Sequence, residues 1–232
     1  MEDTELEGKN YLILFYKTTK ELGIRILGCD FVIKNGDKYH IIIDGKKRSG
    51  GSEHTDIDDY QREKGEVKII LVEDETIRDM SHMFEECVLL KEISSESKWD
   101  CKHVYDIKRM FFNCYSLSYI APTFNFSPLI DNLSFLFYNC KSLESIYIIE
   151  NWITKNVTDF SHLLHDCSSL KNLPSLPNLV SSKATDISDM FNGCTSLKSL
   201  PDMKNWDVSN VTKMERIFCD CHSLDVPPEI KD

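Results

Sequence analysis

The chain has 232 residues, 41% hydrophobic and 28% charged, with a formal net charge of −11 at pH 7. This composition excludes a disordered chain, and nine cysteines are too few for a disulfide-stapled miniprotein, a class that starts at about 8–10% Cys. With 27 basic against 38 acidic residues, a general nucleic-acid binder is also excluded, because neutralising phosphates needs a basic face.

The chain opens on the acidic run Met1 to Glu7, which lacks the basic and apolar regions of a signal peptide. No apolar run approaches the 18 or more residues of a membrane helix. These features predict an intracellular, cytoplasmic protein with no membrane insertion. In that reducing compartment structural disulfides do not persist. Tyr11 to Tyr16 predicts a strand, followed by strands at Ile24 to Leu27, Phe31 to Ile33 and, after Asn35-Gly36, Lys38 to Ile43. The polar stretch 44–65 predicts a mobile loop. Within it Gly45 to Gly51 only superficially resembles a phosphate loop, since Gly51 and Ser52 stand where Lys and Ser or Thr are required. Val67 to Val72 predicts the last strand of a β-rich N-terminal cap over residues 1–72.

Residues 73–232 are organised by a repeat. Six cysteines stand at 87, 114, 140, 167, 194 and 221, spaced 27, 26, 27, 27 and 27 residues apart. Apolar columns move with them. Three residues before each Cys stand Phe84, Phe111, Phe137, Leu164, Phe191 and Phe218, and three after stand Leu90, Leu117, Leu143, Leu170, Leu197 and Leu224. Met80, Met83, Phe84 and Cys87 fall at i, i+3, i+4 and i+7, which predicts a two-turn helix. Asp79, Asp106, Asp159 and Asp186 would cap such helices. Asn113, Asn139, Asp166, Gly193 and Asp220, one residue before the Cys, would end them. The pair Leu197 and Leu200 flanks two polar residues, which is leucine-rich-repeat spacing. Pro122, Pro174 and Pro201 mark where each strand stops, and Pro227-Pro228 would close the array. The predicted fold class is therefore an α/β repeat: a leucine-rich-repeat solenoid of six 26–27-residue coils with a small N-terminal β-rich cap.

The Cys column reads as core, since Cys is a small hydrophobe at a repeated inward position. Cys29, Cys101 and Cys219 lie outside it and are predicted to be exposed thiols. Cys219 to His222 and His162 to Cys167 lack the paired spacing of a zinc site. His162 shares a column with His82, Arg109 and Arg216 and is predicted to face water. No metal site, cofactor site or catalytic constellation is predicted, and no enzyme.

At Asn205 to Met214 the sequence resembles the W-D-V/T-S-N-V-T-x-M signature of BspA-like leucine-rich repeat proteins. Met190 to Leu197 resembles their M-F-x-x-C-x-S-L signature, and the likeness spans residues 77 to 226. The resemblance implies a right-handed leucine-rich solenoid and protein interaction rather than catalysis. Members occur as bacterial surface adhesins and in unicellular eukaryotes.

The function predicted is a non-catalytic protein–protein interaction module. Its partner is a protein, with no nucleic acid and no small-molecule substrate. The candidate surface is the polar pair after each first leucine: Lys91 and Glu92, Ser118 and Tyr119, Glu144, Lys171 and Asn172, Lys198 and Ser199. Tyr147 joins Tyr119 as an aromatic anchor. The alternatives are a structural subunit of a large intracellular assembly, or a cell-surface adhesin of BspA-like type.

Overall fold

A computed structural model describes residues 6–19, 23–56, 63–122, 124–174, 179–200, 203 and 205–224. In chain order the elements are β1 (Tyr11–Lys17), β2 (Gly23–Arg25), α1 (Cys29–Asn35), β3 (Tyr39–Ile43), β4 (Lys46–Ser49), β5 (His54–Asp56), β6 (Glu66–Glu73), β7 (Leu90–Ile93) and β8 (Tyr119–Ile120). One 3₁₀ turn spans Tyr147–Asn151. Six strands form one mixed sheet in the order β4-β3-β6-β1-β7-β8, and β2 pairs with β5 in a two-stranded ribbon. All its pairings are antiparallel except β7 with β8.

Strand alternation gives the sheet two apolar faces. Leu12, Leu14, Tyr16, Ile41, Ile69 and Leu71 join a core that continues through the repeats to Ile217. Ile13, Ile42, Ile70 and Val72 form a smaller cluster with Leu6 and Phe15 on the other side. The strand expected at Phe31 to Ile33 is helix α1 instead. Phe31 and Asn35 are buried while Ile33 is exposed, a helical i, i+4 contact that three apolar residues cannot disclose. Strands β4 and β5 occupy part of the stretch expected to be a loop.

The α/β leucine-rich-repeat solenoid is not what forms. Among the described residues no α-helix lies in the repeats, and the regular structure is mostly strand, gathered in the one mixed sheet. The backbone states why. His82, Arg109, Phe135, His162, Asp189 and Arg216, five residues before each Cys, have φ between 54 and 59°. The residues one before each Cys, Glu86, Asn113, Asn139, Asp166, Gly193 and Asp220, have φ between 58 and 75°. A right-handed helix tolerates neither. Each apolar stripe is instead a pair of tight turns. Met83, Glu85 and Cys87 donate back three residues, to Met80, His82 and Phe84. The alternate N–H groups of Met80, His82, Phe84 and Glu86 donate to Asp106, Lys108, Met110 and Phe112 of the next unit at 2.8–3.0 Å. Units 3 to 4, 4 to 5 and 5 to 6 repeat this ladder, ending with Gly193 on Cys219 at 2.9 Å. The 26–27-residue period thus encodes in-register stacking of turns, held by isolated parallel bridges such as Asp159 with Asp186. The Asp expected to cap helices instead makes short turns, its side chain accepting the N–H two residues on, as Asp186 does from Ser188 at 3.0 Å.

The core columns stack from unit to unit. The rings of Phe84 and Phe111, and of Phe111 and Phe137, are parallel with centroids 5.5 and 5.3 Å apart. Each column Cys after Cys87 donates its S–H to a carbonyl of the preceding unit: Cys114 to Phe84, Cys140 to Phe111, Cys167 to Phe137, Cys194 to Leu164 and Cys221 to Phe191, at 3.0–3.2 Å. Burial pushes these thiols up, Cys221 to about 11 and the others further. Cys is therefore both a small core residue and a weak donor, and the smaller Ala supplies neither its volume nor its S–H. Cys29 and Cys219 are exposed as expected, but Cys101 is buried and joins the main core together with Trp99.

The first unit has no preceding unit to supply donors, and the N-terminal segment supplies them. The Gly28 N–H donates to Met83 at 2.9 Å, and the buried Asn35 side chain donates to the Asp79 carbonyl at 3.0 Å. Lys34 reaches both Asp79 and Ser81. No helix among the described residues is long and apolar enough to cross a membrane. The array-closing Pro227-Pro228 and the strand stop at Pro201 lie outside the described residues.

Candidate functional site

The predicted column is assembled from successive units. Lys91 and Glu92 lie on β7, and Tyr119 opens β8 opposite Glu92. Ser118 bonds the Lys91 carbonyl through its N–H at 2.9 Å and its hydroxyl at 3.2 Å. Further on, the Lys171 N–H reaches Glu144 at 3.3 Å and the Lys198 N–H reaches Lys171 at 3.2 Å. The Lys171 and Glu144 side chains pair at 2.7 Å. The column is thus two backbone-linked blocks, 91–118 and 144–198, with no such bond between Ser118 and Glu144 among the described residues. Lys91 and Glu92 are half-buried, and Lys91 pairs with Glu66. Ser118, Tyr119, Glu144, Lys171, Asn172, Lys198 and Ser199 are exposed. Tyr119 is 42% and Tyr147 64% exposed, the latter at the start of the 3₁₀ turn. Tyr115, also exposed and with Lys141 Nζ 5.4 Å from its ring centroid, is a surface aromatic that the column pattern did not single out.

A second surface was missed altogether. The left-handed residue five before each Cys and the residue two before it form a strip of paired side chains. Glu85 accepts from Arg109, whose guanidinium lies 3.7 Å from the Phe112 ring centroid. Phe112 stacks on Tyr138 at 4.8 Å, Tyr138 on His165 at 4.7 Å, and Phe135 on His162 at 4.4 Å. At the far end Arg216 grips the buried Asp189 with two bonds of 2.8 and 2.9 Å. His162 is half-buried rather than water-facing. Burial holds its imidazole below the ordinary pKa, against the pull of Asp189. Arg216 holds the Asp189 carboxyl below the usual range despite its burial. His162 and His165 are brought together with their Nδ1 atoms 3.1 Å apart. The usable signal was the column of unlike residues at the left-handed position, which only its φ reveals as one structural site.

A family model described as "Mycoplasma protein of unknown function, DUF285" matches residues 62–147 and 131–229, nearly three quarters of the chain. The chain belongs to this family. The DUF285 region runs from before β6 through the stacked units and so includes both surfaces, while β1 to β5 precede it. Among solved structures, a leucine-rich repeat protein of T. pallidum is similar, with 17% identity and a TM-score of 0.36 over 65% of this chain and 71% of that one. A likeness of that extent carries no argument about fold. No curated protein matches the DUF285 chain.

Proposed function

We propose that this repeat protein is a non-catalytic interaction module that binds a protein partner through the column from Lys91 to Ser199. The observation that carries the reading is the exposure of Tyr119 and Tyr147 on backbone otherwise fixed by pairing within the repeats. Rigid, amphipathic tyrosines supply contact area at low entropic cost and anchor many interfaces. Mixed charges flank them, with Lys198 and the Lys171–Glu144 pair on one side and Lys91 and Glu92 on the other. This rim suits a partner surface of both signs and gives no basic face for nucleic acid. The BspA-like motifs point the same way, since that resemblance implies interaction. Residues 1–72 act in this reading as the cap that closes the first unit, and the protein works inside the cell.

The test is affinity capture from the native source with the wild-type chain and the Tyr119→Ala/Tyr147→Ala double variant. The double variant is expected to lose the wild-type partner while melting within about 2 °C of wild type, the shift of a surface change. Unchanged capture with a large melting loss would show that the two rings are structural.

A further inference from the structure

We propose that His162, His165 and Asp189 form a binding site for one divalent transition-metal ion of the zinc class. One ligand atom from each of the three lies within 4.8 Å of those of the others. The two imidazole Nδ1 atoms are 3.1 Å apart. Tetrahedral zinc with bonds of about 2.0–2.1 Å places two ligand nitrogens roughly 3.3 Å apart, so these rings already stand near coordinating distance. Asp189 Oδ2 lies 3.9 Å from Nε2, the other nitrogen of the His162 ring. The carboxylate completes a nitrogen-rich set that suits zinc or its neighbours. Magnesium and calcium prefer all-oxygen shells.

The fold builds this site from two of its own regularities. His162 is held at φ 54° and its turn closes with the His165 N–H on the His162 carbonyl. That geometry brings residues three apart face to face, a spacing outside the usual H-x₃₋₅-H pattern. Asp189 is the His162 position one unit later, delivered by the His162 N–H bond to Ser188 at 3.0 Å. Both rings are preset by stacking, His162 on Phe135 and His165 on Tyr138.

The surroundings supply what coordinated ligands need. Arg216 and Asn192 fix Asp189, the Asn192 amide donating to Oδ1 at 2.6 Å. Oδ2 accepts a bond from Arg216, and a carboxylate oxygen has a second lone pair to offer a cation. Such outer partners orient ligands and raise affinity. The comparable cluster of unit 1, Asp30, His82 and Glu85, offers one imidazole, and its Glu85 is already engaged by Arg109 and His82. It serves as a control.

The test titrates Zn²⁺ alone into the chelator-treated, reduced full-length chain by calorimetry, with Co²⁺ absorption reporting geometry. One equivalent bound, tetrahedral Co²⁺ bands and a raised melting temperature are the expected result. His165→Phe keeps a ring on Tyr138 but removes a ligand, and should weaken binding by about 10- to 100-fold or more. If that variant misfolds, His165→Gln replaces it. His82→Asn and Cys219→Ser should bind as wild type. No uptake by wild type, full binding by His165→Phe, or loss of binding in Cys219→Ser would each overturn the proposal.

Discussion

Replacing Glu86 by glycine separates stacked turns from helices by the sign of its effect. Glu86 sits at φ 60°, where a non-glycine residue costs about 1–2 kcal/mol. Glycine removes that cost and gives back about 0.5–1 kcal/mol of backbone entropy. Its side chain pairs with Arg25 at 4.0 Å and is 57% exposed, so the lost pair is worth about 0–1 kcal/mol and vanishes in salt. In high salt, Glu86→Gly is therefore expected to stabilise by about 0.5 kcal/mol. In a helix the same change would destabilise by roughly 0.5–1 kcal/mol. Gly193→Ala is the mirror experiment. Gly193 has φ 75°, and a Cβ there would stand 3.2 Å from Asp166 Cα and overlap its carboxylate. It should cost about 1–2 kcal/mol, whereas a helix would gain nearly 1 kcal/mol from it. Urea denaturation at constant m reads both midpoints. A lowered midpoint for Glu86→Gly together with a raised one for Gly193→Ala would refute the paired-turn backbone.

Gly28→Ala should destabilise by about 2 kcal/mol or more, because a Cβ at Gly28 overlaps the His82 carbonyl oxygen; hydrogen exchange of unit 1 is the check, and native protection there would contradict the capping role. Acid stability follows Asp79, Glu85 and Asp186. Burial raises each carboxyl, but Ser81 and Lys34, His82 and Arg109, and Ser188 and Lys213 outweigh it and leave all three below their ordinary values. A depressed folded pKa gives stability that is present above the unfolded value and lost as pH falls through the folded one. Unfolding free energy should therefore hold steady down to about pH 5 and drop below about pH 4, with a shallower fall in Glu85→Gln; a decline starting near neutrality would contradict this. With Ellman's reagent, Cys29 and Cys219 should react at once, Cys221 slowly and the buried thiols only on unfolding; fast reaction of Cys101 would show that its burial is wrong.

The apolar columns were legible because periodicity reports burial. Phe111, Cys114 and Leu117 are as buried as their columns imply. Strands β1, β3 and β6 were legible from alternating β-branched and aromatic runs. The helices were misread because i, i+3, i+4, i+7 spacing also fits two turns joined at left-handed residues. Asn113, Asn139 and Gly193 advertise that conformation, but Arg109, Phe135 and His162 hold it with no compositional sign. Tertiary pairing of alternate N–H groups with the next unit outweighs their intrinsic preference. The exposure of the column from Ser118 to Ser199 was legible since side chains after an inward Leu point outward, whereas Lys91 and Glu92 are half-buried. The His162–His165–Asp189 cluster was not, because it needs both the turn and the unit-to-unit register.

The ladder between units has a direction. Within the turns every internal unit gives N–H groups forward and receives through its carbonyls from behind, while N–H groups outside the turns, such as Ser118 on Lys91 and Lys198 on Lys171, donate backward. A duplicated block of one period would arrive with both halves of the bonds it needs, and with its own Cys for the carbonyl behind it. The array can thus lengthen or shorten by whole units anywhere in its interior without redesign. The head is different. Gly28 and Asn35 fit one place only, so the N-terminal segment acts as the fixed starting point from which the number of units is free to vary.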